Sequence, residues 1–177
     1  MITKNFKRWI SVLLQAYNTS TRGYAEVKNS NGSVRYLPIF YASNTIFPTS
    51  VSNVLRGSGV TSGVWIGNGT AIPTEEDYTL TSRIIDNNIS STRTELSGID
   101  QDGNPFLKLT YIINNNSAAD ITITEVGYFQ VCNASSSLNS ATMNAEVIMF
   151  DHTLLDSPIT IPANGNGVLV YTIKAII

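Results

Sequence analysis

Two hydrophobic patterns divide this chain. Over residues 1–17, Phe6, Trp9, Ile10, Leu13 and Tyr17 recur at spacings of three and four. That spacing lays one apolar stripe along a helix. Thr3 stands where an N-cap belongs, and Asn18-Thr19-Ser20-Thr21 ends the run. Lys4, Lys7 and Arg8 fall near the helix start, where the dipole disfavours cations. Packing, rather than propensity, is therefore expected to hold this helix.

After Thr21, runs rich in Val, Ile, Thr, Tyr and Phe alternate with Asn/Gly/Ser clusters at short intervals. That rhythm predicts short antiparallel strands. Residues 24–28 and 34–41 read as a hairpin turned by Asn29-Ser30-Asn31-Gly32, with Pro38 marking an edge or a bulge. Residues 49–55 read as one short helical turn. Residues 60–66 read as a strand closed by Gly67-Asn68-Gly69, and 78–85 as another. Residues 91–99 and 106–114 flank an Asp102-Gly103 tip and read as a long hairpin. Strands are expected at 121–129 and 145–154, with a short one at 159–161. The last run, 168–177, is strongly β-prone and is expected near the centre of a sheet. The predicted fold class is all-β: an antiparallel β-sandwich, jelly-roll or Ig-like, with a short N-terminal amphipathic helix. Residues 1–20 hold the helix and 21–177 a single sandwich domain, since no linker is long enough to divide two domains.

Composition narrows the chemistry. The chain has 177 residues, of which 14% are charged, with a net charge of −2. Asn, Ser and Thr make up close to a third of it. Average globular chains carry roughly 25% charged residues. This balance excludes a strongly electrostatic role such as non-specific nucleic-acid coating. Lys4, Lys7 and Arg8 ahead of residues 9–14 imitate a secretory signal, but Gln15 closes the apolar run and no small-residue cleavage site follows. No apolar run reaches the ~20 residues of a membrane span.

The scarce residues limit catalysis. Cys132 and His152 are each single, so no intrachain disulfide or His/Cys metal cage can form. No nucleophile elbow accompanies His152, which reads as a strand residue. Cys132 closes an apolar run and reads as a buried thiol. Asp100-x-Asp102-x-Asn104 begins like a calcium loop, but its sixth and twelfth places are Pro105 and Tyr111. The glycines at 57, 59 and 63 miss the phosphate-loop spacing. Glu75, Glu76 and Asp77 are adjacent acids expected to point apart into solvent. Glu125, in an otherwise apolar strand, needs solvent or a buried partner such as Arg93 or Lys108. The Asn-x-Ser/Thr triplets at 18, 68, 88, 115 and 133 follow from the composition. No catalytic, cofactor or metal residues are assigned.

Three stretches resemble tailed-bacteriophage virion proteins. Gly67-Asn68-Gly69-Thr70-Ala71-Ile72-Pro73-Thr74-Glu75-Glu76-Asp77-Tyr78-Thr79-Leu80 is similar to their G-x-G-T-x-x-P-T-x-x-D-Y-x-L run. Ile121-Thr122-Ile123-Thr124-Glu125-Val126-Gly127-Tyr128-Phe129 is similar to their I-T-I-x-E-V-G-L-F strand. Pro158-Ile159-Thr160-Ile161-Pro162-Ala163-Asn164-Gly165, followed by residues 169–173, resembles their closing segment. Met1 to Phe6 resembles the start of some gut-phage structural proteins. The resemblance implies a non-enzymatic, multimeric structural protein located in the virion, on the capsid surface, neck or tail. Its partners would be copies of itself and other virion proteins (capsid, portal/neck or tail), with no cofactor, nucleic acid or membrane. The helix itself reads in three ways: as a cover on an open end of the sandwich, as an assembly element whose interface residues are Phe6, Trp9, Ile10, Leu13 and Tyr17, or, third, as an interfacial membrane helix through Lys4, Lys7 and Arg8. The alternative is a receptor- or carbohydrate-binding module of a phage fibre, meeting a host-surface glycan through Trp65, Tyr24, Tyr36 and Tyr41, which read equally as core residues.

Overall fold

The computed structural model describes residues 1–8, 24–38, 62–138, 142 and 144–174. The chain is all-β, with three antiparallel sheets and a short N-terminal helical segment at residues 4–8. The strands are β1 (Tyr24–Lys28), β2 (Val34–Pro38), β3 (Gly63–Gly67), β4 (Ile89–Ile99), β5 (Pro105–Asn115), β6 (Ile121–Ala134), β7 (Asn144–Ile161) and β8 (Asn166–Lys174). β1 and β2 form a hairpin, and the two larger sheets have the orders β3-β6-β7 and β4-β5-β8.

Alternation builds the core between the larger sheets. Leu107, Leu109, Tyr111 and Ile113 of β5, and Leu169 and Tyr171 of β8, point inward. They meet Val64 and Ile66 of β3, Val126 and Tyr128 of β6, and Ile148 and Phe150 of β7. This is sandwich packing. The middle of β6 is buried on both faces, because a second cluster of Trp65, Leu80, Phe129, Val147 and Met149 covers the other side.

The turns follow the local chemistry. Asn29 Oδ1 accepts from the amides of Asn31 (3.1 Å) and Ser33 (2.9 Å), and Gly32 takes a φ of 80°. Asp100 Oδ1 accepts from the amides of Asp102 (3.0 Å) and Asn104 (2.9 Å). The carboxylate that imitated a calcium ligand thus closes a hairpin tip.

Four expectations change. Residues 78–85 form no strand: they turn across the end of β3, touching it at the Gly67–Arg83 bridge. The predicted strands at 145–154 and 159–161 are one strand, β7. Its register with β6 jumps between Leu154 and Ile159, and this irregularity accommodates Pro158 within a long strand. β8 lies at an edge rather than the centre, pairing only with β5 among the described residues. Its alternation conceals this, because Leu169 and Tyr171 are buried as in a central strand.

The fourth change concerns Thr3. Its carbonyl accepts the first helical bond, from the Lys7 amide at 3.2 Å, as an N-cap carbonyl does. Its hydroxyl caps nothing and donates to Met149 O at 2.9 Å. Lys4 pairs with Glu76 and Lys7 with Glu75, which offsets the unfavourable dipole. Phe6 packs edge-on against Phe150 of the chain's own core, with ring centroids 5.4 Å apart. Trp9, Ile10, Leu13 and Tyr17 lie outside the described residues, as do Tyr41 and the helical turn expected at 49–55.

Candidate functional site

One polar cluster is largely buried. It gathers Glu125 from β6, His152 from β7 and Asp77 from the loop that follows β3. Ile121 and Ile123 point into the core, and so do Val126 and Tyr128. The phase of β6 therefore changes between Ile123 and Val126, where its register with β7 is irregular. Such irregularities re-aim side chains. Here Glu125 is turned away from the core and towards the loop.

The Glu125 side chain is fully buried and every contact is specific. Oε1 accepts from the amides of Ser82 (2.7 Å) and Gly69 (3.2 Å). Oε2 accepts from the Thr81 amide (3.1 Å) and lies 2.8 Å from His152 Nε2. His152 Nδ1 lies 2.6 Å from Asp77 Oδ2. Asp77 also accepts from the Thr74 amide at 2.9 Å and the Thr74 hydroxyl at 2.7 Å. Each imidazole nitrogen thus faces a carboxylate, and only the doubly protonated ring donates to both. The partner of Glu125 is therefore His152 and three backbone amides, not Arg93 or Lys108. Arg93 pairs instead with Glu95 at 3.2 Å. The expected outward splay of the acidic triplet holds for Glu75 and Glu76 and fails for Asp77.

The glycines of the loop are steric requirements. A Cβ on Gly67 would sit 2.4 Å from Glu125 Oε1, and one on Gly69 2.6 Å from the same atom. Thr124 Oγ1 donates to Gly69 O at 2.6 Å, fixing the loop from the adjoining residue. The G-x-G spacing therefore lets the backbone close over a buried carboxylate of its own chain. No signal in a single sequence pairs Glu125 with His152, which lies 27 residues away.

Burial alone would push the Glu125 carboxyl up. The Ser82 and Thr81 amides and the His152 ring outweigh it and hold the group below its ordinary 4.5. Burial likewise opposes ionisation of Asp77, but Thr74 and His152 bring it below 3.8. Both folded values are lowered, so this stabilisation is complete above the ordinary values and is lost as pH falls through the folded ones. The urea midpoint is expected to stay level down to about pH 5 and to fall steeply below about pH 4, with a shallower fall in Glu125→Gln. Equilibrium unfolding followed across that range checks this.

A second feature sits beside the loop. The Trp65 ring lies between Phe129, stacked with centroids 3.9 Å apart, and the Arg83 guanidinium, 3.1 Å from its centroid. Trp65 is 2% exposed. It offers no stacking face to a sugar, contrary to the expectation for a glycan platform. Tyr24 and Tyr36 are half-buried on the small hairpin. Burial brings Arg83 down to about 10. Burial also pushes the Cys132 thiol up to about 12, as befits an inert core thiol.

Among the described residues, no group of His, Cys, Asp and Glu is arranged to hold a metal ion. A cavity of about 360 Å³ opens between β6, β7 and β8, lined largely by apolar side chains such as Phe6, Leu155 and Leu169. The Glu125–His152–Asp77 cluster is not part of that lining. With both Glu125 oxygens taken and His152 1% exposed, the cluster clamps the 68–83 loop onto the sheet. No family model, curated protein or solved structure matches this chain.

Proposed function

We propose that this chain is a non-enzymatic structural subunit of a phage virion, working as a homo-oligomer on the capsid surface, neck or tail. The observation that carries this reading is the outer face of the β4-β5-β8 sheet. Paired registers align Thr92, Ile112 and Val168 in one row, and Thr94, Thr110 and Val170 in the next. Leu96, Ile112, Val168 and Val170 are each between 46% and 59% exposed. Between the strand ends, Lys108 is the one ionisable residue on this face. A contiguous, nearly uncharged face of this kind favours packing against another protein surface.

Two further points support it. The phage-like motif residues Gly67, Gly69, Asp77, Leu80, Glu125 and Gly127 converge on one packed device: Glu125 sits against both loop glycines, and Leu80 lies against Gly127. Their shared role is to fix a loop. The chain's single histidine is consumed in the same device. The fibre-tip reading loses its main aromatic platform with Trp65 buried. Light scattering of the purified full chain tests the proposal: a discrete multimer is expected, and a monomer at the highest soluble concentration would overturn it.

A further inference from the structure

The two larger sheets have four edge strands, and three of them are defended. The free edge of β3 is met by residues 82–84, through the Ile84 amide to Ile66 O (2.9 Å) and the Asn68 amide to Ser82 O (2.9 Å). The free edge of β7 is met twice. Ile2 bridges Asp151, with the Thr3 amide donating to Phe150 O at 3.1 Å, and the Ser30 amide donates to Val147 O at 2.8 Å. The edge strand β4 carries Arg93 and Glu95 on its inward side. Inward charges, short strands and covering segments are the usual means of blunting a sheet edge.

β8 has none of these among the described residues. It runs nine residues, Asn166 to Lys174, without proline or register shift. From Asn166 to Ile173 it holds no ionisable side chain except the buried Tyr171. Val168 and Val170 stand beside its free edge, 58% and 51% exposed. Such an edge is a template for a further antiparallel strand.

We infer that the β8 edge pairs with the β8 edge of a second copy of this chain across a two-fold axis. The inference rests on the homo-oligomer reading and assigns it an interface. The argument for a second copy is self-complementarity. Full overlap of an antiparallel pair spanning 166–174 centres on Val170. Val170 then faces its own equivalent, Val168 faces Thr172, and Asn166 faces Lys174, so no like charges meet. Pairing also joins the two nearly uncharged outer faces into one six-stranded sheet, ordered β4-β5-β8-β8-β5-β4. A two-fold contact of this kind is closed, as most homo-oligomeric contacts are.

Cysteine cross-linking of the full chain tests this. Directly opposed residues in an antiparallel pair lie about 4.5–5.5 Å apart between Cα atoms, within the roughly 4.4–6.8 Å that a disulfide spans. Val170→Cys is expected to give a disulfide-linked dimer under mild oxidation. The native chain, whose one thiol is buried Cys132, and Thr92→Cys on the far edge strand should give little. Val170→Lys, which sets two ammonium groups opposite each other, should raise the concentration needed for association by up to about fivefold. If the native chain is multimeric but Val170→Cys links no better than Thr92→Cys and Val170→Lys associates normally, the edge assignment is overturned and the homo-oligomer stands. If the native chain is monomeric throughout, both fall. Should Val170→Lys fail to fold by circular dichroism, the cross-linking comparison decides alone.

Discussion

Glu125→Ala is expected to lower the unfolding free energy by about 3–5 kcal/mol, the usual result of removing one member of a buried charged pair. Three losses combine. The amides of Gly69, Thr81 and Ser82 lose their acceptor, and each unsatisfied buried amide costs about 1–3 kcal/mol before the loop relaxes. His152 keeps only Asp77 as a partner. The space under Gly67 and Gly69 empties. Because the loop can partly open to water, the loss should be smaller than the sum of those parts. Urea unfolding gives the magnitude. Hydrogen exchange gives the location: protection should fall first at residues 69 and 81–82, while β5 stays protected. Glu125→Gln keeps the shape and some of the acceptor capacity, and should fall between wild type and alanine.

Phe129→Ala is expected to cost a similar amount, about 3–5 kcal/mol, by a different route. Phe129 is fully buried and stacks on Trp65. It belongs to the smaller cluster, with Leu80, Val147 and Met149 around it. Truncation leaves a cavity in a region bounded by β-strands, which collapses poorly. The loss should be the same at about pH 7 and below about pH 4, because no carboxylate changes its environment. A urea midpoint that drops equally at those two pH values, beside a loss in Glu125→Ala that shrinks at the lower one, separates packing from charge.

Much of the fold was legible because period-two alternation is a local signal. Residues 106–114 alternate cleanly, and β5 spans Pro105–Asn115. The Asp102-Gly103 tip was legible for the same reason: a side chain two residues away closes it. What escaped was long-range. Residues 78–85 carry strand-like residue types, yet Glu125 accepts two of their amides and makes them a clamped loop. β8 looked central because its inward residues are apolar, but alternation reports which face is buried, not how many neighbours a strand has. The Glu125–His152–Asp77 cluster was missed because it depends on a phase change in β6 that no residue type announces. The sequence offers Trp65 equally as a stacking platform and as a core residue. Its burial comes from Phe129 and Arg83, which lie 64 and 18 residues further along.

Few charges and a nearly uncharged sheet face suit the proposed subunit, whose neighbours would be other subunits. Weak self-repulsion permits dense packing. The proposed membership of a symmetric virion particle is tested by an averaged electron-microscopy map of purified phage particles. Density for this β-sandwich is expected at symmetry-related positions on the capsid surface, neck or tail. A well-resolved particle, complete in its assigned density and lacking this chain, would contradict it.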